Sequence, residues 1–306
     1  STPNLDLTRK GALVATWPGE STDAPRALTA HVDTLGAVVK EIKPSGRLRL
    51  SQLGGYAWNT VEGEGVTVFT AGGQTVRGSF LLANSSAHVN RQVGETKRAD
   101  DNMEVRLDAR TTSPEETRAL GIEVGDFVAF DPRVEVVNGF VRSRHLDDKA
   151  CVACVVAAVQ ALADAGLKPV QTTYLHISNY EEVGHGASAG IPDEVTELLT
   201  VDMAAVGDGQ TSNEYQTSLC VKDSGGPYHH GLSNRLRQLA DEHQIPYVVD
   251  VYPFYGSDGE AFWRAGGDVA VALIGPGVDA SHGYERTHTD ALEATARWVM
   301  AYLLGE

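Results

Sequence analysis

Residues 150–178 decide the fold, because a predicted helix is followed there by a predicted strand. Residues 150–165 read ACVACVVAAVQALADA, an apolar stretch of helical length, and residues 172–178 read TTYLHIS, a short strand-like run. The same alternation continues to the end of the chain, with strands predicted at 198–203, 247–252 and 269–274 and helices at 232–243, 258–265 and 291–304. Strands that alternate with helices indicate an α/β fold with a largely parallel sheet covered by helices.

The part of the chain before this alternation has a different composition. Between about residues 40 and 141, short β-branched runs alternate with glycine-rich turns such as Gly72-Gly73, which is typical of a small β-barrel or sandwich. Two earlier strand-like runs, 11–17 and 27–32, suit the parallel sheet better. We therefore predict an α/β domain of residues 1–40 and 142–306 and an inserted β-rich domain of residues 41–141.

The composition argues against several classes of protein. The 306 residues include 25 Lys and Arg and 41 Asp and Glu, a formal charge of −16, and this balance argues against a nucleic-acid partner. No stretch reaches the roughly 18 apolar residues of a membrane-spanning helix, and the first ten residues lack the apolar core of a signal peptide. Of the three cysteines, Cys151 and Cys154 are predicted as buried helix residues rather than a redox or zinc pair. We expect a cytoplasmic protein without disulfides or a membrane partner.

Two pairs of polar residues lie beside predicted elements of the sheet domain. His31 and Asp33 end an apolar strand and point to the same face, so the carboxylate is able to hold one imidazole nitrogen while the other binds a metal. Asp147 and Asp148 come just before the helix of residues 150–165. Each pair has a simpler explanation: a core histidine with a turn aspartate, and a helix N-cap. A cap, however, accounts for only one of two adjacent carboxylates.

Three further segments add acidic or imidazole groups. Glu181 and Glu182 follow the strand of residues 172–178, and the carboxyl ends of strands are where α/β sheets bind ligands. Asp202 ends another apolar strand, where an acidic residue is uncommon unless it is paired or bound to a metal. His288 lies immediately before the last helix. The simpler explanation of the two glutamates is an exposed loop, and that of His288 is a cap of the last helix.

Taken together, the segments are more specific than any one of them. In chain order they supply His, Asp, Glu, Asp and His, which is two imidazoles and three carboxylates, with one glutamate left over. That inventory matches a two-zinc site with one bridging carboxylate and a spare glutamate as the base, the arrangement of two-metal hydrolases.

These segments resemble the M42 family of metallo-aminopeptidases, the tetrahedral and glutamyl aminopeptidase group. Six motifs carry the resemblance in the family's order: AHVDTLG at 30–36, LDDK at 146–149, YEEVG at 180–184, VD at 201–202, GSD at 256–258 and YERTH at 284–288. The resemblance implies a zinc-exopeptidase-like sheet with an inserted β-barrel. Three other segments resemble an M42 subgroup associated with genes for the osmoprotectant N-acetylglutaminylglutamine amide: LGGYAWNT at 53–60, RHLDD at 144–148 and KDSGGPY at 222–228.

The resemblance also implies which residues bind the metals. Asp147 would bridge two ions, and it is preferred to Asp148 because the family's bridging residue directly follows an apolar position, here Leu146. The implied ligands are His31, Asp147 and Asp202 for one metal and Asp147, Glu182 and His288 for the other.

The remaining roles follow from the same resemblance. Glu181 would be the general base, and Asp33 would orient His31. The last ligand position stays open to competition, because His282 and the pair His229-His230 also lie in the final third of the chain.

The implied activity is removal of N-terminal residues from short peptides by a dinuclear metal-dependent aminopeptidase. A metal-bridged water would be the nucleophile and Glu181 the base, with Zn²⁺ expected and Co²⁺ or Mn²⁺ as alternatives. Family members form dimers that build into dodecamers, so a homo-oligomer is expected. Two alternatives stay open: a metal-dependent deacylase or amide hydrolase of small N-acylated dipeptides on the same site, and a non-catalytic assembly protein of the same fold.

Overall fold

The computed structural model describes residues 4–305 and divides into two compact units. The sheet unit comprises the described residues up to Thr34 and from Val134 onward, and the barrel unit comprises Leu35–Arg133. Both junctions lie a few residues before the predicted ones, because Gly36–Ile42 is a barrel strand and Glu135–Val137 is a strand of the other unit. Both segments have strand-like composition, which does not reveal the sheet to which a strand belongs.

The described residues form nineteen strands and five α-helices. The sheet unit begins with β1 (Asn4–Leu7), β2 (Leu13–Trp17) and β3 (Ser21–His31). The barrel unit follows with β4 (Gly36–Ile42), β5 (Leu48–Leu53), β6 (Gly65–Phe69), β7 (Thr75–Leu82), β8 (Met103–Leu107), α1 (Pro114–Arg118) and β9 (Phe127–Phe130). The sheet unit continues with β10 (Glu135–Val137), β11 (Phe140–Ser143), α2 (Leu146–Asp164), β12 (Gln171–Ser178), β13 (Glu197–Val201), β14 (Ala204–Val206), β15 (Thr217–Asp223), β16 (Gly226–Pro227), α3 (His230–Glu242), β17 (Tyr247–Val251), α4 (Asp258–Arg264), β18 (Ala270–Asp279), β19 (Glu285–His288) and α5 (Thr289–Leu304).

The barrel unit is a closed sheet of six strands in the order β4, β5, β8, β7, β6, β9. Side chains alternate between the interior and the surface along β6 and most of β7, as the two-residue period of a strand predicts. In β6, for example, Val66 and Val68 are buried while Phe69 is exposed. Phe80 and Trp58 fill the interior between them. The predicted barrel is therefore confirmed.

The centre of the large sheet is parallel. β3 pairs in parallel with β12 on one side and with β13 on the other, and β13 pairs in parallel with β18. Such strands are covered on both faces, so their sequences are continuously apolar; Leu198, Leu199 and Val201 of β13 are all buried. Antiparallel strands such as β1 and β2 extend the edge of the sheet. The predicted α/β class with a largely parallel central sheet is confirmed.

Helices cover the sheet and complete its core. α2, α3 and α5 pack around Trp298 and Tyr302, which are fully buried, and α4 contributes Phe262 to a separate apolar cluster. The predicted helix of residues 150–165 lies within α2, where Cys151 and Cys154 are buried free thiols, as predicted. None of the helices in the described part of the chain has the length and apolar character that crossing a bilayer requires.

Candidate metal centre

Three parallel strands end side by side at the candidate metal centre. β3 ends at His31, β13 is followed by Asp202, and β12 is followed by the short turn Glu181–Val183. Because β12 and β13 both pair in parallel with β3, their carboxyl ends meet at one edge of the sheet, where α/β folds bind ligands. The topology therefore brings together residues that are far apart in the sequence.

The first group of candidate ligands consists of His31, Asp147 and Asp202. All three residues are buried, and one possible ligand atom of each lies within 4.8 Å of the others. His31 Nε2 lies 3.0 Å from Asp147 Oδ1. Asp147 reaches the centre because the backbone of Asp147 and Asp148 departs from helical geometry at the start of α2. One imidazole with two carboxylates is a donor set that suits Zn²⁺ and related divalent ions.

The second group shares Asp147 with the first and adds Glu182 and His282. Their possible ligand atoms also lie within 4.8 Å of one another. His282 Nε2 lies 3.4 Å from Asp147 Oδ2 and 3.7 Å from Glu182 Oε2. One oxygen of Asp147 therefore faces each histidine, which is the geometry that a bridging carboxylate needs.

The sequence predicts His288 as the last ligand, but the structure does not bring it into either group. His288 lies at the start of α5, where its Nδ1 accepts a hydrogen bond from Asp290 N–H at 3.2 Å. Its ring packs against Phe140 and Tyr215, at centroid distances of 4.9 and 5.3 Å. His282 reaches the centre instead, because the loop before β19 bends back and His282 adopts a left-handed φ of 61°. The contacts of His288 are those of the simpler explanation, a histidine that caps α5.

Asp33 connects His31 to the two glutamates. Its main-chain carbonyl lies 3.0 Å from His31 Nδ1, and its carboxylate lies 3.5 Å from the same nitrogen. The two carboxylate oxygens accept hydrogen bonds from Glu181 N–H and Glu182 N–H, each at 3.1 Å. Burial would raise the pKa of Asp33, but the interaction with His31 and these N–H groups holds it below its ordinary value. Asp33 therefore stays ionised and fixes both the imidazole and the glutamate turn.

Glu181 lies at the centre without belonging to either group of ligands. Its Oε2 is 3.7 Å from His31 Nε2, and it lines the same cavity as Asp147 and Asp202. Burial, together with the negative charge of Asp202, raises the pKa of Glu181 well above its ordinary value. A buried carboxylate with a raised pKa is suited to accept and return a proton near neutral pH.

The electrostatics of the centre fit a pair of cations. Burial and the charge of Asp147 raise the pKa of Glu182 to about 8 and that of Asp202 to about 7. Burial opposes ionisation of Asp147 too, but its hydrogen bonds with His282 and His31 lower its pKa. Glu182 Oε1 is buried and makes no hydrogen bond, which is costly for a carboxylate unless a cation binds it. The donor set and this unpartnered oxygen therefore fit divalent metals.

A cavity of about 400 Å³ opens onto both groups of ligands. This volume is typical of small-ligand sites. Away from the candidate ligands and Glu181, the walls come mainly from α4 and the loop before it and include Phe254, Tyr255, Ser257, Glu260 and Arg264. The centre is thus accessible to a small ligand.

Two further acidic residues near the centre, Asp258 and Glu285, belong to sequence motifs that the resemblance does not connect with a metal. Asp258 of the GSD motif is buried and accepts hydrogen bonds from Ser178 Oγ and from Ala187 N–H, so it ties the end of β12 to the loop that follows the glutamates. Glu285 of the YERTH motif is also buried. Burial raises the pKa of Glu285 to about 9.

The comparisons with known proteins agree with this geometry. The model of the M42 glutamyl aminopeptidase family matches residues 11–298. The chain belongs to this family. The M42 chain is 49% identical to the putative aminopeptidase YhfE of Bacillus subtilis over 295 residues, which are 96% of this chain and 85% of that protein. The predicted family is therefore confirmed, and the M42 chain is an enzyme of the aminopeptidase class.

Solved structures show the same fold at lower sequence identity. An aminopeptidase from Desulfurococcus kamchatkensis matches with a TM-score of 0.87 and 22% identity, covering 99% of the M42 chain and 85% of that protein. The TET1 peptidase of Pyrococcus horikoshii, which assembles into a tetrahedron or a large octahedral shell, matches with a TM-score of 0.86 and 22% identity, covering 99% and 90%. The link to the osmoprotectant subgroup stays a prediction.

Proposed function

We propose that this M42 enzyme is a dinuclear metal-dependent aminopeptidase that removes N-terminal residues from short peptides. One ion would be held by His31, Asp147 and Asp202 and the other by Asp147, Glu182 and His282. The observation that carries the proposal is the shared Asp147, whose two oxygens face His31 and His282 at 3.0 and 3.4 Å.

A bound pair of divalent cations would polarise the scissile carbonyl and lower the pKa of a water molecule between them. The chain supplies the remaining steps. The short contact of His31 Nδ1 with the main-chain carbonyl of Asp33 places the proton on that nitrogen and leaves Nε2 free to act as a ligand. Glu181 accepts the proton of the attacking water and then delivers it to the departing amine.

A homo-oligomer forms part of the proposal. It is supported by the family membership of the chain and by the similarity of its fold to the TET1 peptidase, which can assemble into a tetrahedron or a large octahedral shell. Most soluble homo-oligomers have closed point-group symmetry. A cytoplasmic location and peptide substrates stay predictions from the sequence.

Removal of the metals tests the proposed function directly. We expect about two equivalents of divalent metal per chain, and we expect chelation to lower activity on aminoacyl substrates by at least about 100-fold, because the ions contribute several kcal/mol to the transition state. Metal content is measured by mass spectrometry, and Zn²⁺, Co²⁺ and Mn²⁺ are added back in turn.

The same assay separates the proposal from its nearest alternative. Each substrate with a free amine is paired with its N-acetylated form. Restored hydrolysis of the free-amine substrates supports an aminopeptidase, whereas cleavage of the blocked forms alone would show a deacylase. A chain that binds no metal and cleaves neither form would be a non-catalytic protein of the same fold.

The pKa values at the centre predict a pH-dependent loss of stability in the metal-free protein. The pKa values of Glu182 and Asp202, about 8 and about 7, are above their ordinary values. The stability that these groups contribute is therefore complete at acid pH and is lost as the pH rises through these values. We expect the melting temperature of the chelated protein to fall between about pH 6 and pH 8.5, and that of the zinc-loaded protein to fall less.

Glu182→Gln is the control for this measurement, because it removes one of the titrating groups and keeps the volume of the side chain. In the chelated variant, the decrease in melting temperature should be smaller than in the parent. A chelated parent that is equally stable at both pH values would contradict the charge distribution described above.

A further inference from the structure

Glu285 accepts hydrogen bonds from the main chain of two candidate ligands, Asp147 and His282. It is the first residue of β19, and its side chain is fully buried. Its Oε2 accepts a hydrogen bond from Asp147 N–H at 3.0 Å, and its Oε1 accepts one from His282 N–H at 3.1 Å. A single carboxyl group therefore fixes the main chain of two ligands that come from distant parts of the sequence.

The loop that carries His282 has a strained backbone, which the hydrogen bond with Glu285 helps to hold in place. Ala280 and His282 have φ values of 57° and 61°, a left-handed conformation that costs non-glycine residues about 1–3 kcal/mol and persists only where the surroundings impose it. Within the segment, Gly283 N–H donates to the carbonyl of Ala280 at 2.9 Å. Glu285 anchors this turn to the start of α2 through Asp147.

The partners of Glu285 distinguish it from a buried glutamate that only balances charge. Glu104 of the barrel unit is also buried, and its carboxylate lies 2.7 Å from Lys43 Nζ and 2.5 Å from Arg47 Nη1. Glu285 instead bonds to main-chain N–H groups of residues in the second group of ligands. These hydrogen bonds hold the main chain of Asp147 and His282 in place. They therefore set the position from which each ligand side chain extends toward the metal.

We propose that Glu285 is a positioning residue for the second ion, setting the affinity of the Asp147–Glu182–His282 group although it belongs to neither group of ligands. This inference rests on the proposed function, since it requires two ions. Residues that hold metal ligands in place typically change metal affinity by about 10–100-fold when they are replaced. The first group should depend less on Glu285, because Glu285 fixes only its Asp147, whereas it fixes both Asp147 and His282 of the second group.

Glu285→Gln tests the inference. Glutamine keeps the size of the side chain, but its amide nitrogen cannot accept a hydrogen bond, so one of the two contacts is lost. In Zn²⁺ titrations of the metal-free protein followed by calorimetry, we expect the weaker of the two ions to bind about 10–100-fold less tightly. The affinity for the other ion should change by less than about threefold.

Two further variants keep the test decisive. Glu285→Asp retains the carboxyl group but is too short to reach both N–H groups, and it replaces Glu285→Gln in the test if that variant does not fold. Glu104→Gln is the matched control, because it removes a buried glutamate of the barrel unit; it should lower the melting temperature and leave both Zn²⁺ affinities unchanged. A positioning role also predicts that Glu285→Gln has little additional effect on Zn²⁺ binding once His282→Ala has removed the ligand.

The outcomes separate this inference from the proposed function. A parent that binds two ions with unequal affinities, and a Glu285 variant that loses only one of them, support the positioning role. Unchanged affinities in both Glu285 variants, or an equal loss of both ions together with a large loss of melting temperature, would overturn it. A parent that binds no second ion would instead refute the proposed dinuclear function.

Discussion

Glu181→Gln is expected to keep both metal equivalents and to lower kcat by about 100-fold to 10,000-fold, the range attributed to general acid–base catalysis. Glu181 belongs to neither group of candidate ligands, so its replacement should leave metal content intact. It lies within the cavity, 3.7 Å from His31 Nε2, and burial raises its pKa. Glutamine fills the same space but cannot accept the proton of the attacking water.

The measurement combines kcat, KM and metal content for the parent and the variant. Glu242→Gln, at the exposed end of α3, is the matched control and should behave like the parent in all three. Loss of metal from Glu181→Gln would make Glu181 a ligand rather than a base. Parent-like turnover with both ions bound would show that another group moves the proton.

Most of the fold is predictable from the distribution of apolar residues along the sequence. Short runs with little polarity, such as 198–201, indicate strands covered on both faces, and the long apolar run of α2 indicates a helix. The boundary of the barrel was harder to place, because the strand Gly36–Ile42 has the same composition as its neighbours in the sheet. Membership of a strand in one sheet or another depends on pairing partners, which a local pattern does not specify.

Local sequence patterns predict some residues of the candidate metal centre and miss others. Ligands at strand ends, such as His31 and Asp202, are predictable because parallel strands place their carboxyl ends together. His282 is only a competing candidate in the sequence, because it lies in a loop whose left-handed turn, at Ala280 and His282, has no glycine at either position to signal it. Glu285 was not chosen because its contacts are to main-chain N–H groups, and residue spacing alone does not reveal such contacts.

His282→Ala and His288→Ala should have opposite effects on metal binding and on stability. His282→Ala removes a donor that faces both Asp147 and Glu182. We expect the affinity for the second ion, and the activity with it, to fall by more than about 100-fold, because residues that merely position ligands already account for 10–100-fold. Alanine should fit the left-handed backbone at this position, since Ala280 adopts a similar φ of 57°.

His288→Ala should leave both metal affinities and kcat within about twofold of the parent. It removes the capping contact with Asp290 N–H and the packing against Phe140 and Tyr215, and we expect it to lower the free energy of unfolding by about 1–2 kcal/mol. Metal titration and thermal unfolding of the two variants together decide the assignment. If His288→Ala lost an ion while His282→Ala kept both, the last ligand would be His288, and the loop before β19 would not approach the centre as described.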